Sequence, residues 1–258
     1  MSRTFTAKPS ALIFALALAC LLGASVAGAR SVDQDFQPWL QLFIDGRSGE
    51  RLRWSLDVQS RWLDVPRAYD PQTGKRLDSS NTVVLVRPGL GWALSDWAAV
   101  WAGYTYQPVL YDNDELADSR DIDEHRAWEQ LSLSHALADW KMGLRSRLEQ
   151  RYRTKGAGDG DWAHRFRQQA RVAYNVTEDW KWQLIVADEI FFHLNDTGYP
   201  TRIGLDQNRA FFGIGYQPIS LIRLELGYLN QFVRRYTDPH QVNHVLSIQL
   251  IINVATAF

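Results

Sequence analysis

Histidine and serine residues are the first candidates for catalytic chemistry in this sequence. A serine nucleophile needs its base within hydrogen-bond reach, and neighbouring residues of an extended strand point to opposite faces. The nearest His and Ser residues have opposite parity: His125 with Ser132, Ser134 with His135, and His244 with Ser247. We therefore expect no catalytic residues, and the protein is predicted not to be an enzyme.

Metal ligands are the second candidates. The segment 112–124 carries seven acids, but their spacing matches no EF-hand loop. The chain has one Cys, which excludes a cysteine cage around a metal ion. We therefore predict no metal site and no cofactor, and we interpret the acidic segment as a solvated loop.

The third candidates are charged residues that alternate with apolar ones. Twelve arginines and five acids share this polar parity. They are Arg53, Asp57, Arg61, Arg87, Glu124, Arg126, Arg145, Arg147, Glu149, Arg151, Arg165, Arg167, Arg171, Glu189, Arg209, Arg223 and Glu225. Arginine pairs well with carboxylates in a confined space because its planar fork binds them in a bidentate geometry. The set predicts either an ion-paired interior or a positively biased path for anions.

An alternation with a period of two positions these charged side chains. In RLRWSLDVQSRW, residues 51–62, the apolar residues fall mainly on one parity and the charged residues on the other. This pattern is typical of an amphipathic strand. It recurs in residues 141–152, 164–174 and 221–229, and in the last strand before Phe258. The sequence therefore predicts an all-β fold.

Short and long connections alternate between the predicted strands. Short turns are predicted at 94–97, 136–140, 176–180 and 217–220, and long polar loops at about 64–80, 109–123, 153–163, 194–206 and 234–241. Trp97, Trp140 and Trp180 each follow an Asp in a short turn, at spacings of 43 and 40 residues, which indicates a hairpin repeat. These features are typical of an outer-membrane β-barrel, in which the three Trp residues form a periplasmic aromatic girdle.

The strand count gives the predicted architecture. We predict an antiparallel up-and-down transmembrane barrel of ten strands in residues 51–258, with short periplasmic turns, long extracellular loops and both chain ends in the periplasm. Twelve strands would need one more strand than the pattern shows. Residues 30–50 contain a further candidate, Phe36–Ile44, which we interpret as an extra strand or a plug. The alternative fold is a soluble sandwich or lipocalin-like barrel. Its strands also alternate apolar and polar residues, but its apolar face points inward.

Both ends of the chain carry export and assembly features. Residues 1–29 have a positive start, a short apolar core and the small-residue site Ala27-Gly28-Ala29, which predicts a cleaved signal peptide with Arg30 as the first mature residue. Phe258 ends an alternating strand, as in proteins that the outer-membrane barrel assembly machinery recognises. The predicted location is the outer membrane of a Gram-negative bacterium after Sec export.

Composition excludes several other classes of protein. The chain of 258 residues has 28 basic and 29 acidic residues, which argues against binding to nucleic acid. Aromatic residues make up 12%, enough to disfavour disorder. No run of about 18 apolar residues follows the N-terminus, which disfavours a helical membrane protein.

Six polar motifs in order resemble the domain of unknown function 2490 family of bacterial outer-membrane barrels. They are DEHRAWEQ (123–130), RSRLEQRY (145–152), HRFRQQARVAYNV (164–176), ADEIFF (187–192), DQNRAFFGIGYQ (206–217) and ELGYLNQF (225–232), followed by Asn243-His244. The resemblance implies location and architecture, with a shared polar face. That face comprises Glu124, Arg126, Arg147, Glu149, Arg151, Arg167, Glu189, Asn208 and Arg209. The family has no established activity, so the resemblance implies no catalytic residue.

Two functions follow as expectations. The barrel is either a structural barrel with an Arg/Glu-filled lumen or a narrow pore that prefers anions. An outer-membrane enzyme that modifies lipids is the alternative. The expected partners are outer-membrane lipid, lipopolysaccharide and, during biogenesis, the barrel assembly machinery; the sequence does not indicate an oligomeric state.

Overall fold

In the part of the chain that the structure describes, eleven strands of 12 to 17 residues form one closed sheet. The computed structural model describes residues 32–64, 80–111, 122–154, 160–197, 202–235 and 240–256. The strands are β1 Val32–Ser48, β2 Leu52–Asp64, β3 Ser80–Ala93, β4 Ala98–Tyr111, β5 Ile122–Leu137, β6 Trp140–Arg153, β7 Trp162–Asn175, β8 Trp182–His193, β9 Gly204–Ile219, β10 Ile222–Val233 and β11 His240–Thr256. Within these described ranges, no helix is long and apolar enough to cross a membrane.

β1 closes the barrel and corrects the predicted strand count. Neighbouring strands from β1 to β11 pair antiparallel in chain order, whereas β1 and β11 pair in parallel, from Val32 opposite His240 to Ser48 opposite Thr256. The prediction of ten strands, with twelve as the alternative, is therefore wrong, and the segment 30–50 supplies a full strand. The prediction failed because it assumed an even count, which lets the first and last strands pair antiparallel.

Because the number of strands is odd, the first strand begins and the last strand ends at opposite ends of the barrel. β1 begins at the end of the barrel that carries the long connections, and β11 ends at the end that carries the short ones. The expectation that both chain ends lie on one side is therefore wrong for the described strands. The alternation itself is confirmed, because β5 and β6 are joined through Ala138 and Asp139 alone, whereas 15 residues, 65–79, separate β2 from β3.

Backbone conformation and local hydrogen bonds stabilise the short turns. Ala138 and Trp180 adopt positive φ angles of 49° and 60°, a conformation suited to tight reversals. In the turn between β7 and β8, the Thr177 hydroxyl donates to the Asp179 carboxylate at 2.6 Å, and the Lys181 backbone N–H donates to it at 3.2 Å. These hydrogen bonds lower the pKa of the Asp179 carboxyl because they favour its charged form.

The two faces of the sheet differ in chemistry. Large apolar side chains are exposed on the outside of every strand, for example Phe36 on β1, Leu90 on β3, Phe212 on β9 and Leu226 on β10. Most charged residues of the strands project inward instead, where they are buried or half-buried. This arrangement is the reverse of a soluble barrel, in which apolar side chains fill the inside.

Candidate functional site

The candidate site is the charged interior of the barrel. Four inward glutamates, Glu124, Glu149, Glu189 and Glu225, are only 1%, 1%, 5% and 2% exposed. Each accepts hydrogen bonds or forms ion pairs with at least two arginines. We call these glutamates and their arginine partners the lumen network. A buried carboxylate is tolerated only when it is paired, so these glutamates can lie inside the barrel because the arginines of the network pair with them.

Glu124 on β5 organises the part of the network near the long connections. Its carboxylate accepts from Arg126 Nε at 2.7 Å, from Arg151 Nη2 at 3.0 Å and from Arg153 Nε at 3.3 Å. Arg126 and Glu124 are two residues apart on one strand, whereas Arg151 and Arg153 lie on the neighbouring β6. The sequence alternation therefore brings three guanidinium groups to one carboxylate.

Arg167 joins the next two glutamates. Its Nη1 donates to Glu149 Oε1 at 2.6 Å, and its Nη2 donates to Glu189 Oε1 at 2.8 Å. A second arginine donates to each glutamate: Arg165 Nη2 to Glu149 at 2.6 Å, and Arg145 Nη2 to Glu189 at 2.9 Å. These bonds link β6, β7 and β8 into one connected set of charges.

Two further pairs lie apart from this chain of charges. Glu225 accepts from Arg171 Nη2 at 2.6 Å and forms an ion pair with Arg223, whose Nε lies 3.0 Å from Glu225 Oε1. On β2, Asp57 pairs with Arg87 at 3.0 Å. The Arg171 contact connects β7 to β10, which are not neighbours in the sheet, so these side chains reach across the lumen.

Three predicted arginines depend on amides and aromatic rings instead of close carboxylates. Arg147 donates twice to Gln130, at 2.9 and 2.6 Å, and stacks 4.2 Å from the centre of the Trp128 ring; its nearest carboxylate contact, with Glu149, is 4.0 Å. The other two, Arg61 and Arg209, lie over the ring of Trp39 at 4.1 and 5.2 Å. Such cation–π contacts stabilise a desolvated guanidinium.

A central cavity of about 270 Å³ remains inside the barrel. Its charged lining comprises Arg61, Arg87, Arg145, Arg167, Arg171, Arg209, Arg223, Asp57, Glu189 and Glu225. Seven arginines thus face three acids. Phe43, Phe211, Leu229 and Ile251 give it an apolar wall. The cavity is positively biased and partly apolar, so its chemistry suits a small organic anion.

The remaining predicted site residues lie elsewhere. Arg53 is at the rim near the short connections, where its guanidinium donates to the carbonyl oxygens of Glu50 and Leu52 at 3.2 and 3.4 Å. Trp97, Trp140 and Trp180 are exposed at the same end. Phe258 and the predicted signal peptide lie outside the described residues.

Several inward residues were not predicted from the sequence. His193 Nε2 lies 3.2 Å from Asp206 Oδ2, and His193 is only 3% exposed, so this histidine belongs to the interior. The aromatic residues Trp39, Trp128 and Phe191 also point inward. The sequence did contain an indication of this, because these aromatic residues alternate in step with inward charged residues, as Phe191 does with Glu189. Aromatic residues at such positions were not interpreted as part of the interior.

The catalytic candidates are not brought together. His125 is hydrogen-bonded to Tyr104 on the outer face, and His244 Nδ1 lies 2.7 Å from the Tyr228 hydroxyl, also outside. Ser247 instead lines the central cavity. Among the residues that the structure describes, no group of three or more His, Cys, Asp or Glu side chains is arranged to hold a metal ion.

These observations define a class of protein: a closed β-barrel with an apolar outer surface and an ion-paired interior. The chain belongs to the family described as protein of unknown function (DUF2490), which matches residues 36–243. The resemblance found in the sequence motifs is thereby confirmed.

Two individual proteins are similar to this chain. An uncharacterized protein of Methylorubrum extorquens (strain AM1) is 28% identical over 246 residues, which cover 92% of this chain and 96% of that protein. Among solved structures, LpxR from Salmonella typhimurium aligns with a TM-score of 0.47 and 6% identity, over 78% of this chain and 83% of that one.

Proposed function

We propose that the chain is an outer-membrane β-barrel whose lumen is closed by the lumen network, so that it does not form an open pore. The main support for this proposal is that four glutamates are almost fully buried and that each has at least two arginine partners: Glu124, Glu149, Glu189 and Glu225. In a barrel of this size, inward side chains fill much of the interior. Paired charges in fixed positions leave little room for a continuous column of water.

The outer surface supports insertion into a membrane. Exposed large apolar side chains occur on all eleven strands, and a closed barrel satisfies its backbone hydrogen bonds without water. Aromatic pairs with tilted rings lie at both ends: the ring centroids of Trp140 and Tyr174 are 4.7 Å apart near the short connections, and those of Tyr152 and Trp162 are 5.0 Å apart near the long ones. Aromatic residues at two levels are characteristic of the two interfaces of a bilayer.

Location is tested on the native protein. We expect it in the outer-membrane fraction, in contact with lipid and lipopolysaccharide, with Arg30 as its first residue by mass spectrometry. Its mobility in a gel should change on heating, as expected of a closed barrel that resists detergent. Recovery of the folded protein from the periplasm without detergent would contradict the proposal.

Closure of the lumen is tested by recording from the purified protein in planar bilayers. We expect no stepwise conductance from the wild type. Stable single-channel steps in the wild type would overturn the proposal of a closed lumen while leaving the membrane location intact.

A second function is favoured by one observation. Seven arginines against three acids line the central cavity, and a ring of arginines favours anions in a pore. A narrow anion path would give small steps whose reversal potential follows the chloride gradient. The same bilayer recording therefore distinguishes the two functions.

A further inference from the structure

We propose that the central cavity is a binding site for a small organic anion, whose acid group is held by Arg61 and Arg209 and whose apolar part packs against Phe43 and Phe211. The inference depends on the interior side chains alone, so it holds whether or not the barrel conducts ions.

The charges of the cavity are not balanced by its own acids. All three acids in the lining already have arginine partners: Asp57 has Arg87, Glu189 has Arg145 and Arg167, and Glu225 has Arg171 and Arg223. Among the residues that the structure describes, Arg61 and Arg209 form no salt bridge. An unpaired charge in a confined interior is costly, and a bound anion would remove that cost.

Neutral groups hold these two guanidiniums in place. Arg61 donates through Nε and Nη2 to Gln59 Oε1, at 2.9 and 2.6 Å, and Arg209 donates through Nη2 to Gln207 Oε1 at 3.2 Å. Both contact the ring of Trp39, and Arg209 also lies 4.5 Å from the centre of the Phe191 ring. A guanidinium has five N–H donors, so donors remain for a ligand, and side chains already fixed lose little entropy on binding.

The size and lining of the cavity define the class of ligand. A volume of about 270 Å³ lies just below the roughly 300–1,000 Å³ of pockets that bind small organic molecules. That space suits a small, compact molecule. With Leu229 and Ile251, the aromatic wall is apolar. A carboxylate or phosphate on a short aromatic or aliphatic body combines the two kinds of contact.

The cavity extends towards the short connections. Arg223 and Glu225, which line it, are the second and fourth residues of β10 and follow directly on a short turn. Towards the other end of the barrel, Glu124 and its three arginines occupy the lumen. A ligand therefore enters from the end that carries the short connections.

The test uses the folded full-length mature protein in detergent micelles, titrated with benzoate, phenyl phosphate and neutral benzamide and followed by calorimetry. We expect saturable binding of at least one anion, at least tenfold weaker binding of benzamide, and an affinity that falls as salt is added. The two anions differ in head group, so their relative affinities separate a carboxylate site from a phosphate site.

Variants connect the binding to the two arginines. Arg61→Gln and Arg209→Gln should each weaken binding of the anion at least tenfold, whereas Arg53→Gln, at the rim outside the cavity, should bind as the wild type does. Heat-dependent gel mobility verifies that each variant is folded. The proposal is overturned if neither anion binds saturably, if benzamide binds equally well, or if Arg53→Gln loses as much affinity as Arg61→Gln.

Discussion

Gly103 lies directly opposite Trp128 across β4 and β5, and the indole ring occupies the space that a Cβ at residue 103 would need. The ring also approaches Gly89 on β3, where a Cβ would be 2.6 Å from Trp128 Cη2. Trp128 is 4% exposed and carries Arg147 stacked on it. The glycines therefore allow an aromatic ring to lie flat on the inner wall and support an arginine of the interior.

The first prediction is that Gly103→Ala destabilises the folded barrel by about 1–3 kcal/mol, the usual cost of overpacking. The added methyl group must displace the Trp128 ring or the backbone. The measurement is the urea midpoint of folding into lipid vesicles, followed by gel mobility. Gly143→Ala is the matched control, because the atom nearest to its added Cβ would be the Leu133 carbonyl oxygen at 3.9 Å, and it should lose no stability. Equal losses in both variants would contradict this account of Trp128.

The second prediction concerns closure of the lumen. The double variant Arg147→Ala with Arg167→Ala removes the stack on Trp128 and the bridge between Glu149 and Glu189. We expect it to show conductance steps in planar bilayers where the wild type shows none, because the interior becomes wider and less positive. Gln168→Ala, beside Arg167 but on the outer face, should stay closed. If the double variant keeps wild-type stability and stays closed, these arginines do not close the lumen.

Period-two alternation predicted which residues face inward, because the parity of a strand is local. Cross-lumen partners could not be predicted in the same way. Arg209 on β9 reaches Trp39 on β1, and Arg171 on β7 reaches Glu225 on β10. These strands are not neighbours in the sheet, so the contacts depend on the register and curvature of the whole barrel. No local pattern encodes that geometry.

The sequence left Phe36–Ile44 open between an extra strand and a plug for a related reason, and the structure shows that it is a strand. The segment alternates like other strands, but its partner on one side is β11, about 200 residues away in sequence and parallel to it. Because the sequence does not show this pairing, the strand count was predicted from the rule that such barrels have even strand numbers. The family match, which begins at residue 36, includes most of this strand.

The third prediction follows from the parallel pairing of β1 with β11. With the short connections in the periplasm, Val32 begins β1 at the outer surface, whereas Glu50 lies in a periplasmic turn. The sequence has one Cys, at position 20 in the predicted signal peptide, so single cysteines can be introduced. In intact cells an impermeant maleimide should label Val32→Cys but not Glu50→Cys, and permeabilised cells should label both. The opposite labelling would show that the barrel is inserted the other way round.

The last prediction tests inside against outside at two adjacent residues. Asp188 faces outward and accepts from Asn208 Nδ2 at 2.9 Å, while Glu189 faces inward and holds Arg145 and Arg167. Asp188→Asn can keep a hydrogen bond and removes a charge from the lipid-facing side, where charge is unfavourable, so stability in vesicles should stay the same or rise. Glu189→Gln leaves Arg145 without its carboxylate and removes one of the two carboxylates that hold the buried Arg167, which should cost about 3–5 kcal/mol. A loss confined to Asp188→Asn would mean that the outward side chain is the one covered by protein, and the assignment of the two faces would then be inverted.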